Sequence, residues 1–152
     1  MDMTERAGRT FAERLDHLFK EVHPENRGPY TYAEVAQALK EAGNGEGAIT
    51  ASGIQQLRTG ARGNPKMETI KALAAFFGVP AGYFFDDEVA ERTEAEIKLV
   101  AAMRDQQIAQ VALRSAGLSP TSLKMVHTVI QQARHLEGLP AGDEFLGLDL
   151  NE

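Results

Sequence analysis

Apolar side chains recur at three- and four-residue spacing through most of this 152-residue chain, and glycines and prolines interrupt the pattern at intervals. In the first such segment Phe11, Leu15 and Leu18 fall on one face of a helix that Thr10 can cap. No segment of useful length alternates apolar and polar residues in the manner of a strand. The pattern therefore predicts an all-α protein.

Capping residues, glycines and prolines divide residues 10–86 into five predicted helices. The second begins at a capping box that starts with Thr31, and the third runs over Ala51–Thr59. Asn64-Pro65 precedes the fourth helix, and Pro80 stands at the first position of a short fifth helix. Glycines end the second, third and fourth of these helices, namely Gly43, Gly45 and Gly47, then Gly60, then Gly78.

Beyond residue 86 the same spacing predicts two longer helices. One runs from about Val89 to Ala116, and the other from Pro120 to about Leu136. The remaining residues contain a proline, two glycines and four acidic residues, and we interpret them as an acidic tail. The predicted organisation is a domain over residues 10–86, a helical region over 89–138 and a tail over 139–152.

The composition excludes several classes of protein and of site. The chain has no cysteine, which excludes disulfides and thiolate metal ligands. The sequence shows neither a signal peptide nor an apolar run of membrane-spanning length, so we expect a cytoplasmic protein with no membrane partner. The four histidines lack metal-ligand spacing, and no nucleophile–base pair is recognisable. We therefore expect no metal, no cofactor, no small-molecule ligand and no enzymatic activity.

Charge is distributed unevenly along the chain. The formal net charge is -6, yet residues 49–77 carry four basic residues against one acidic residue. Residues 86–152 carry six basic and twelve acidic residues. A phosphate backbone responds to local charge rather than to the total. The basic middle segment is therefore compatible with a nucleic-acid partner, although a chance fluctuation of surface charge would produce the same pattern.

The third predicted helix places Ile54 and Leu57 on one face and short polar side chains on the other. Gln56 can form a bidentate hydrogen bond with adenine, Ser52 can donate or accept, and Ala51 can contact a thymine methyl group. The same polar side chains would also suit a solvated face of an ordinary helical bundle. On the first interpretation, the residues that read base edges in double-stranded DNA are Ala51, Ser52, Gln55 and Gln56.

Cations and hydrogen-bond donors flank this helix. They follow it in the next turn or stand at the start of the second helix, which suits contacts with phosphates. The candidate phosphate contacts are Thr31, Arg58, Arg62, Asn64 and Lys66. Two helices joined by a glycine turn, the second of them entering the major groove, form the arrangement of a helix-turn-helix unit.

Several segments together resemble the Xre-type helix-turn-helix family of phage repressors. They are Thr31-Tyr-Ala-Glu-Val-Ala, Ile49-Thr-Ala-Ser-Gly-Ile-Gln-Gln-Leu-Arg-Thr-Gly, Asn64-Pro65 and Ile70-Lys-Ala-Leu-Ala-Ala-Phe-Phe-Gly-Val-Pro. The resemblance implies a five-helix DNA-binding domain in which Ala51, Ser52 and Gln56 read bases. It also implies that Tyr32 holds a phosphate, whereas the residue type alone is equally consistent with an aromatic ring packed over the domain edge.

The chain departs from this family pattern in two places. Many members carry Glu where this chain has Arg58, so we expect the internal salt bridge of the family to be replaced by a phosphate contact or an exposed cation. The segment between Ala36 and Ile54 is also longer than the compact turn of phage repressors. The angle at which the third helix meets DNA is therefore open.

A second set of segments resembles the EspR family of actinobacterial regulators. They are Phe11-Ala-Glu-Arg-Leu, Arg27-Gly-Pro, Ala33-Glu-Val, Gln56-Leu-Arg, Asn64-Pro65, Tyr83-Phe84, Asp86-Asp87-Glu88 and Met103-Arg104-Asp105. This resemblance covers nearly the whole chain except the tail. It implies a dimeric DNA-binding regulator with a helical C-terminal dimerisation region and nucleoid-organising behaviour.

The last predicted helix carries two apolar rows where a surface helix of a monomer needs one. The preceding long helix is lined in a similar way. A helix buried within one protomer would explain the pattern as well, but only about 60 residues are available to enclose it. We predict a homodimer interface formed by Ile97, Val100, Met103, Ile108, Leu123, Val126, Val129, Ile130 and Ala133.

The sequence thus favours a dimeric DNA-binding transcriptional regulator, located at the nucleoid, that reads the major groove with Ala51–Thr59. One alternative is a nucleoid-associated architectural protein that bridges DNA sites. The other is a protein-interaction module that keeps the fold without binding DNA.

Overall fold

The structure of the protein, a computed structural model, describes residues 9–141. Over this range it contains helices and no strand, which confirms the all-α prediction. The α-helices are α1 (Phe11–Glu21), α2 (Tyr32–Glu41), α3 (Ala51–Thr59), α4 (Met67–Phe77), α5 (Asp87–Met103), α6 (Gln106–Ser115) and α7 (Pro120–Leu136), and a 3-10 helix, Ala81–Phe84, lies between α4 and α5. Within the described range no helix is both long enough and apolar enough to cross a bilayer. All but the first three positions of the predicted acidic tail lie outside the described residues.

The chain divides into two compact units, Met1–Thr93 and Glu94–Glu152. The N-terminal unit contains α1 to α4, the 3-10 helix and the first part of α5. The C-terminal unit contains the remainder of α5 together with α6 and α7.

The first three helices begin, and α3 and α4 end, where the predicted caps stand. The hydroxyls of Thr10, Thr31 and Thr50 each accept a hydrogen bond from the backbone amide three residues later. At the opposite ends of α3 and α4, Gly60 and Gly78 have φ values of 83° and 72°, a left-handed conformation that suits glycine. Local sequence therefore determines the bounds of α3, the helix proposed above to read DNA.

The core of the N-terminal unit is built from the inner faces of its first four helices. Helix α3 packs against both α1 and α2, and its Ile54 and Leu57 are fully buried. The other side chains that are at most 1% exposed include Leu15, Leu18, Phe19, Val35, Leu39, Leu73 and Tyr83. Burial of a Leu or Ile side chain is worth about 1.5–3 kcal/mol. The inner face of α3 is therefore held in place, and only its outer face is free to contact a partner.

A buried arginine joins the start of α5 to α1. The Arg14 side chain, only 4% exposed, donates hydrogen bonds to the Tyr83 carbonyl oxygen and to the Asp87 carboxylate. The Tyr83 hydroxyl donates in return to the Arg14 carbonyl oxygen over 3.2 Å. The buried charge is thus both paired and hydrogen-bonded, as a charged group in a protein interior must be.

Two predicted helices differ from the structure. The long helix expected from Val89 to Ala116 is interrupted, because the Asp105 carboxylate accepts from the amides of Gln107 and Ile108 and so begins α6. The described part of the C-terminal region therefore contains three helices rather than two. The short fifth helix is a single 3-10 segment, and Pro80 stands at its cap position rather than inside it.

The segment between α2 and α3 approaches α4 so closely at Gly47 that no side chain would fit. A Cβ atom there would lie 2.5 Å from the Ala72 Cβ and 2.6 Å from the Glu68 carbonyl oxygen. Backbone of α4 cannot move aside in the way that the end of a flexible side chain can. Gly47 therefore fixes the path by which the chain enters α3.

Gly47→Ala should lower the free energy of unfolding by about 1–3 kcal/mol because the added methyl group collides with α4. Gly28→Ala is the matched control, since no heavy atom lies within 4 Å of the added Cβ. The three tyrosines, Tyr30, Tyr32 and Tyr83, all belong to the N-terminal unit, so tyrosine fluorescence during denaturant unfolding reports on that unit. Equal free energies of unfolding for the two variants would contradict the close approach.

Candidate nucleic-acid interface

The outer face of α3 presents the predicted base-reading side chains to solvent. Ser52, Gln55 and Gln56 are exposed, and Ala51 at the first position of the helix is half-buried. In the described part of the chain, none of these side chains is engaged in an internal hydrogen bond. Their donors and acceptors are therefore available to an external partner. An α-helix with a short polar face of this kind fits the major groove of B-DNA.

The turn after α3 folds back onto the end of that helix. The Arg62 amide donates to the Gln56 carbonyl oxygen over 3.1 Å, which brings the backbone of Arg62 beside α3. Asn64 adopts a φ of 54°, a left-handed conformation that asparagine tolerates better than most residues. The side chains of Arg62, Asn64 and Lys66 are exposed. The turn thus places predicted phosphate contacts next to one end of the base-reading helix.

Arg58 does not project into solvent as the sequence led us to expect. Its Nε donates to Asp16 Oδ1 over 2.9 Å, and the side chain is 23% exposed. The guanidinium carbon lies 4.8 Å from the centroid of the Phe19 ring, a cation–π arrangement. The expectation that the internal salt bridge is lost at this position is therefore wrong, because Arg58 forms one with α1.

Asp16, which the sequence analysis did not identify, is the acidic partner that orients α3. Its second carboxylate oxygen lies 2.9 Å from the Lys20 ammonium group. Hydrogen bonds from Lys20 and Arg58 hold the pKa of the Asp16 carboxyl below its usual range. The position of Asp16 one turn before Phe19 was visible in the sequence, but its pairing across 42 residues was not.

At the start of α2, Thr31 is occupied with capping the helix. Its hydroxyl accepts from the Glu34 amide and donates to Glu34 Oε1, and its own amide also donates to that carboxylate. Arg27 binds both oxygens of the Glu34 carboxylate at 2.7 Å. Arg27, together with the Thr31 hydrogen bonds, lowers the pKa of Glu34 from 4.5 to about 2. The Thr31 hydroxyl and amide are therefore engaged with Glu34 within the capping box.

Tyr32, the first residue of α2, is half-buried. The ring packs edge-to-face against Phe19, with centroids 5.4 Å apart. The hydroxyl oxygen accepts a hydrogen bond from Arg58 Nη1 over 3.3 Å. The packing role considered for this residue therefore accounts for the ring, and the hydroxyl is left for a second role.

The predicted dimer residues lie in the C-terminal unit, whose described residues show no buried side chain. None of residues 94–141 is buried. The exposed fractions of Val100, Met125 and Val129 are 59%, 67% and 65%. Of the predicted interface side chains, Ile97 and Val126 are half-buried, and the others are exposed, namely Val100, Met103, Ile108, Leu123, Val129, Ile130 and Ala133. Folded helical units bury an apolar core, and residues 94–141 show none within one chain.

Comparison with known proteins is consistent with the segments quoted above. No family model matches the chain. Two sequences from Mycobacterium tuberculosis, strains CDC 1551 / Oshkosh and ATCC 25618 / H37Rv, are each 42% identical over 132 residues, and both are named nucleoid-associated protein EspR. The match covers 87% of this chain and 98% of the relative. The chain belongs to the EspR family. The resemblance to the EspR family seen in the sequence is thereby confirmed, and it spans both units of this EspR-family chain.

The stability of this EspR-family chain should fall as the pH drops from about 4.5 towards 2, the interval over which Glu34 is charged only in the folded state. Glu34 ionises more readily in the folded state. Its contribution to stability is therefore complete above the pKa of the unfolded state and is lost as the pH falls through the pKa of the folded state. Arg27→Gln should flatten this dependence because it removes the largest cause of the shift.

Denaturant unfolding followed by tyrosine fluorescence at several pH values measures the effect. Arg62→Gln is the matched control, because it removes an exposed guanidinium that forms no ion pair within the described residues. Parallel pH profiles for wild type and Arg27→Gln would contradict the assignment.

Proposed function

We propose that this protein is a dimeric DNA-binding transcriptional regulator of the nucleoid, with α2 and α3 acting as a helix-turn-helix unit. One observation carries the proposal: α3 is anchored by fully buried Ile54 and Leu57 while Ser52, Gln55 and Gln56 remain exposed. Such a helix can insert its polar face into the major groove without loss of core packing. Gln56 and Ser52 then supply hydrogen bonds to base edges, and Ala51 an apolar contact.

Phosphate contacts supply most of the affinity in this proposal. Arg62 and Lys66 contribute charge, Asn64 contributes a neutral donor, and Tyr32 contributes its hydroxyl. The turn that carries the first three folds back on the end of α3, so base and phosphate contacts lie close together along the chain. Arg58 and Thr31 are left out of this set, because Arg58 is already ion-paired with Asp16 and the Thr31 hydroxyl already donates to Glu34.

The named relatives support a DNA partner and a location at the nucleoid. Both are called nucleoid-associated, and the nucleoid is the body of chromosomal DNA. The same name favours a second candidate function, an architectural protein that binds many loosely related sites. The two candidate functions differ in how much of the binding free energy depends on the DNA sequence. The outer face of α3 determines that part of the free energy.

A homodimer follows from the C-terminal unit. The described part of that unit exposes most of its large apolar side chains and buries none of them. A second copy with the same apolar faces would supply the missing core. Two base-reading helices at fixed spacing would also provide the affinity that one helix-turn-helix unit lacks.

Gln56→Ala and Arg62→Ala should weaken DNA binding in different ways. Gln56→Ala should cost about 1–3 kcal/mol on a preferred duplex and nothing on a random one, because it removes a base contact. Arg62→Ala should weaken both alike and reduce the salt slope by about one unit, because it removes a phosphate contact. The preferred duplex is selected from a random-sequence pool with wild-type protein.

These two variants also separate the candidate functions. Equal losses on preferred and random duplexes for Gln56→Ala would contradict its base-reading role and favour the architectural function. Wild-type protein that binds no duplex at low salt would overturn both and favour a protein-interaction module.

Val129→Asp should convert the dimer to a monomer of 16.6 kDa, because it places a carboxylate in the proposed apolar interface. Thr128→Asp is the matched control. It adds the same carboxylate one residue earlier, on the polar side of α7. Sedimentation equilibrium measures the mass of each variant. A monomeric wild type, or dimers of equal stability for both variants, would contradict the interface.

A further inference from the structure

We propose that Arg58 is a positioning residue that aims the Tyr32 hydroxyl at a DNA phosphate, with Asp16 holding Arg58 in place. This inference rests on the proposed DNA-binding function. It assigns to Arg58 a role through another side chain instead of the direct phosphate contact that its charge suggests.

Hydrogen-bond chemistry fixes the direction of the Tyr32 hydroxyl. A guanidinium group only donates, so the contact of Arg58 Nη1 with Tyr32 uses an oxygen lone pair of the phenol. The phenol hydrogen therefore cannot point towards Arg58. None of the described residues offers it an acceptor. The hydrogen is free for an external acceptor, and a phosphate oxygen accepts without donating.

The two hydroxyls at the start of α2 are thus in opposite situations. The Thr31 hydrogen is directed at Glu34 Oε1 over 3.2 Å, inside the capping box. The Tyr32 hydrogen remains available, and the positive guanidinium beside the phenol oxygen polarises the O–H bond, which makes it a stronger donor. Of these two residues, only Tyr32 can therefore donate a side-chain hydrogen bond to DNA.

Arg58 is itself held in one orientation by three contacts. Asp16 accepts from its Nε over 2.9 Å, and its guanidinium carbon lies 4.8 Å from the Phe19 centroid and 5.8 Å from the Tyr32 centroid. Asp16 also offsets the positive charge. Arg58 therefore contributes geometry at the interface, whereas the exposed cations contribute attraction.

The test compares Tyr32→Phe, Arg58→Met and the double variant by measuring affinity for one random-sequence duplex between about 50 and 200 mM salt. Phenylalanine keeps the ring against Phe19, and methionine keeps an aliphatic stem. Each single variant should bind about tenfold more weakly, the effect of one hydrogen bond to a charged group. The double variant should bind no more weakly than either single variant, because both changes remove the same contact.

The salt slope separates positioning from direct contact. It should be unchanged in both single variants, since the contact with phosphate is made by a neutral hydroxyl. A slope reduced by about one unit in Arg58→Met would overturn the proposal in favour of a direct phosphate contact by Arg58. If the loss of affinity in the double variant is the product of the two single losses, the proposal is overturned in favour of independent structural effects.

Tyr30→Phe is the matched control, because it removes the same hydroxyl from a neighbouring tyrosine whose ring packs on Phe76. It should bind as wild type does, and an equal loss would overturn the role of Arg58. Should Arg58→Met fail to fold, Arg58→Lys provides the affinity test, since it keeps the charge but not the fork that reaches both Asp16 and Tyr32. It should also bind about tenfold more weakly, and wild-type affinity in Arg58→Lys would overturn the proposal. If binding to the preferred duplex is weakened by Gln56→Ala but not by Tyr32→Phe, this inference alone is overturned.

Discussion

The contacts on the inner side of α3 hold the helix in one orientation. This restraint matters because the outer face can read DNA only if the helix does not rotate about its axis. Ile54 and Leu57 supply the apolar part of that restraint, and both are fully buried. Arg58 supplies the polar part through its ion pair with Asp16 on α1. An ion pair with this much exposure contributes little to overall stability. The ion pair instead fixes the orientation of α3. A planar guanidinium bound at several atoms permits one orientation of the helix, whereas the apolar contacts alone would permit several.

Charge is arranged so that attraction and orientation come from different residues. Within residues 9–141 the exposed cations of the turn after α3 form no ion pair, whereas Arg58 and Arg27 are each paired with a carboxylate. The C-terminal region is acidic, so it repels phosphates while the basic segment around α3 attracts them. A chain with a net charge of -6 can therefore present a surface suited to DNA in one unit and an apolar surface suited to a second copy in the other.

Local signals predicted the helices well, and long-range pairings are what the sequence did not reveal. Thr31, Thr50 and Gly60 act within a few residues of themselves, so their roles were readable from spacing alone. The break in the long helix was missed because Asp105 follows a continuous apolar pattern, and its capping role appears only in the backbone around it. The Asp16–Arg58 ion pair joins residues 42 apart, a distance at which charge type alone does not select a partner. The outer face of α3 was predicted from polarity, but which phosphate candidates are already engaged required the structure.

The absence of a buried side chain in residues 94–141 links assembly to function. In the proposed function, residues 94–141 gain a core only with a partner, so their folding and their association are one equilibrium. If a second copy fills that role, the population of molecules with two base-reading helices rises with protein concentration. Affinity for paired DNA sites would then depend on the same apolar side chains as the stability of the C-terminal unit. A substitution in the proposed dimer interface, far from any base, could therefore weaken DNA binding as strongly as the loss of the Gln56 side chain. High protein concentration would restore binding in the first case but not in the second.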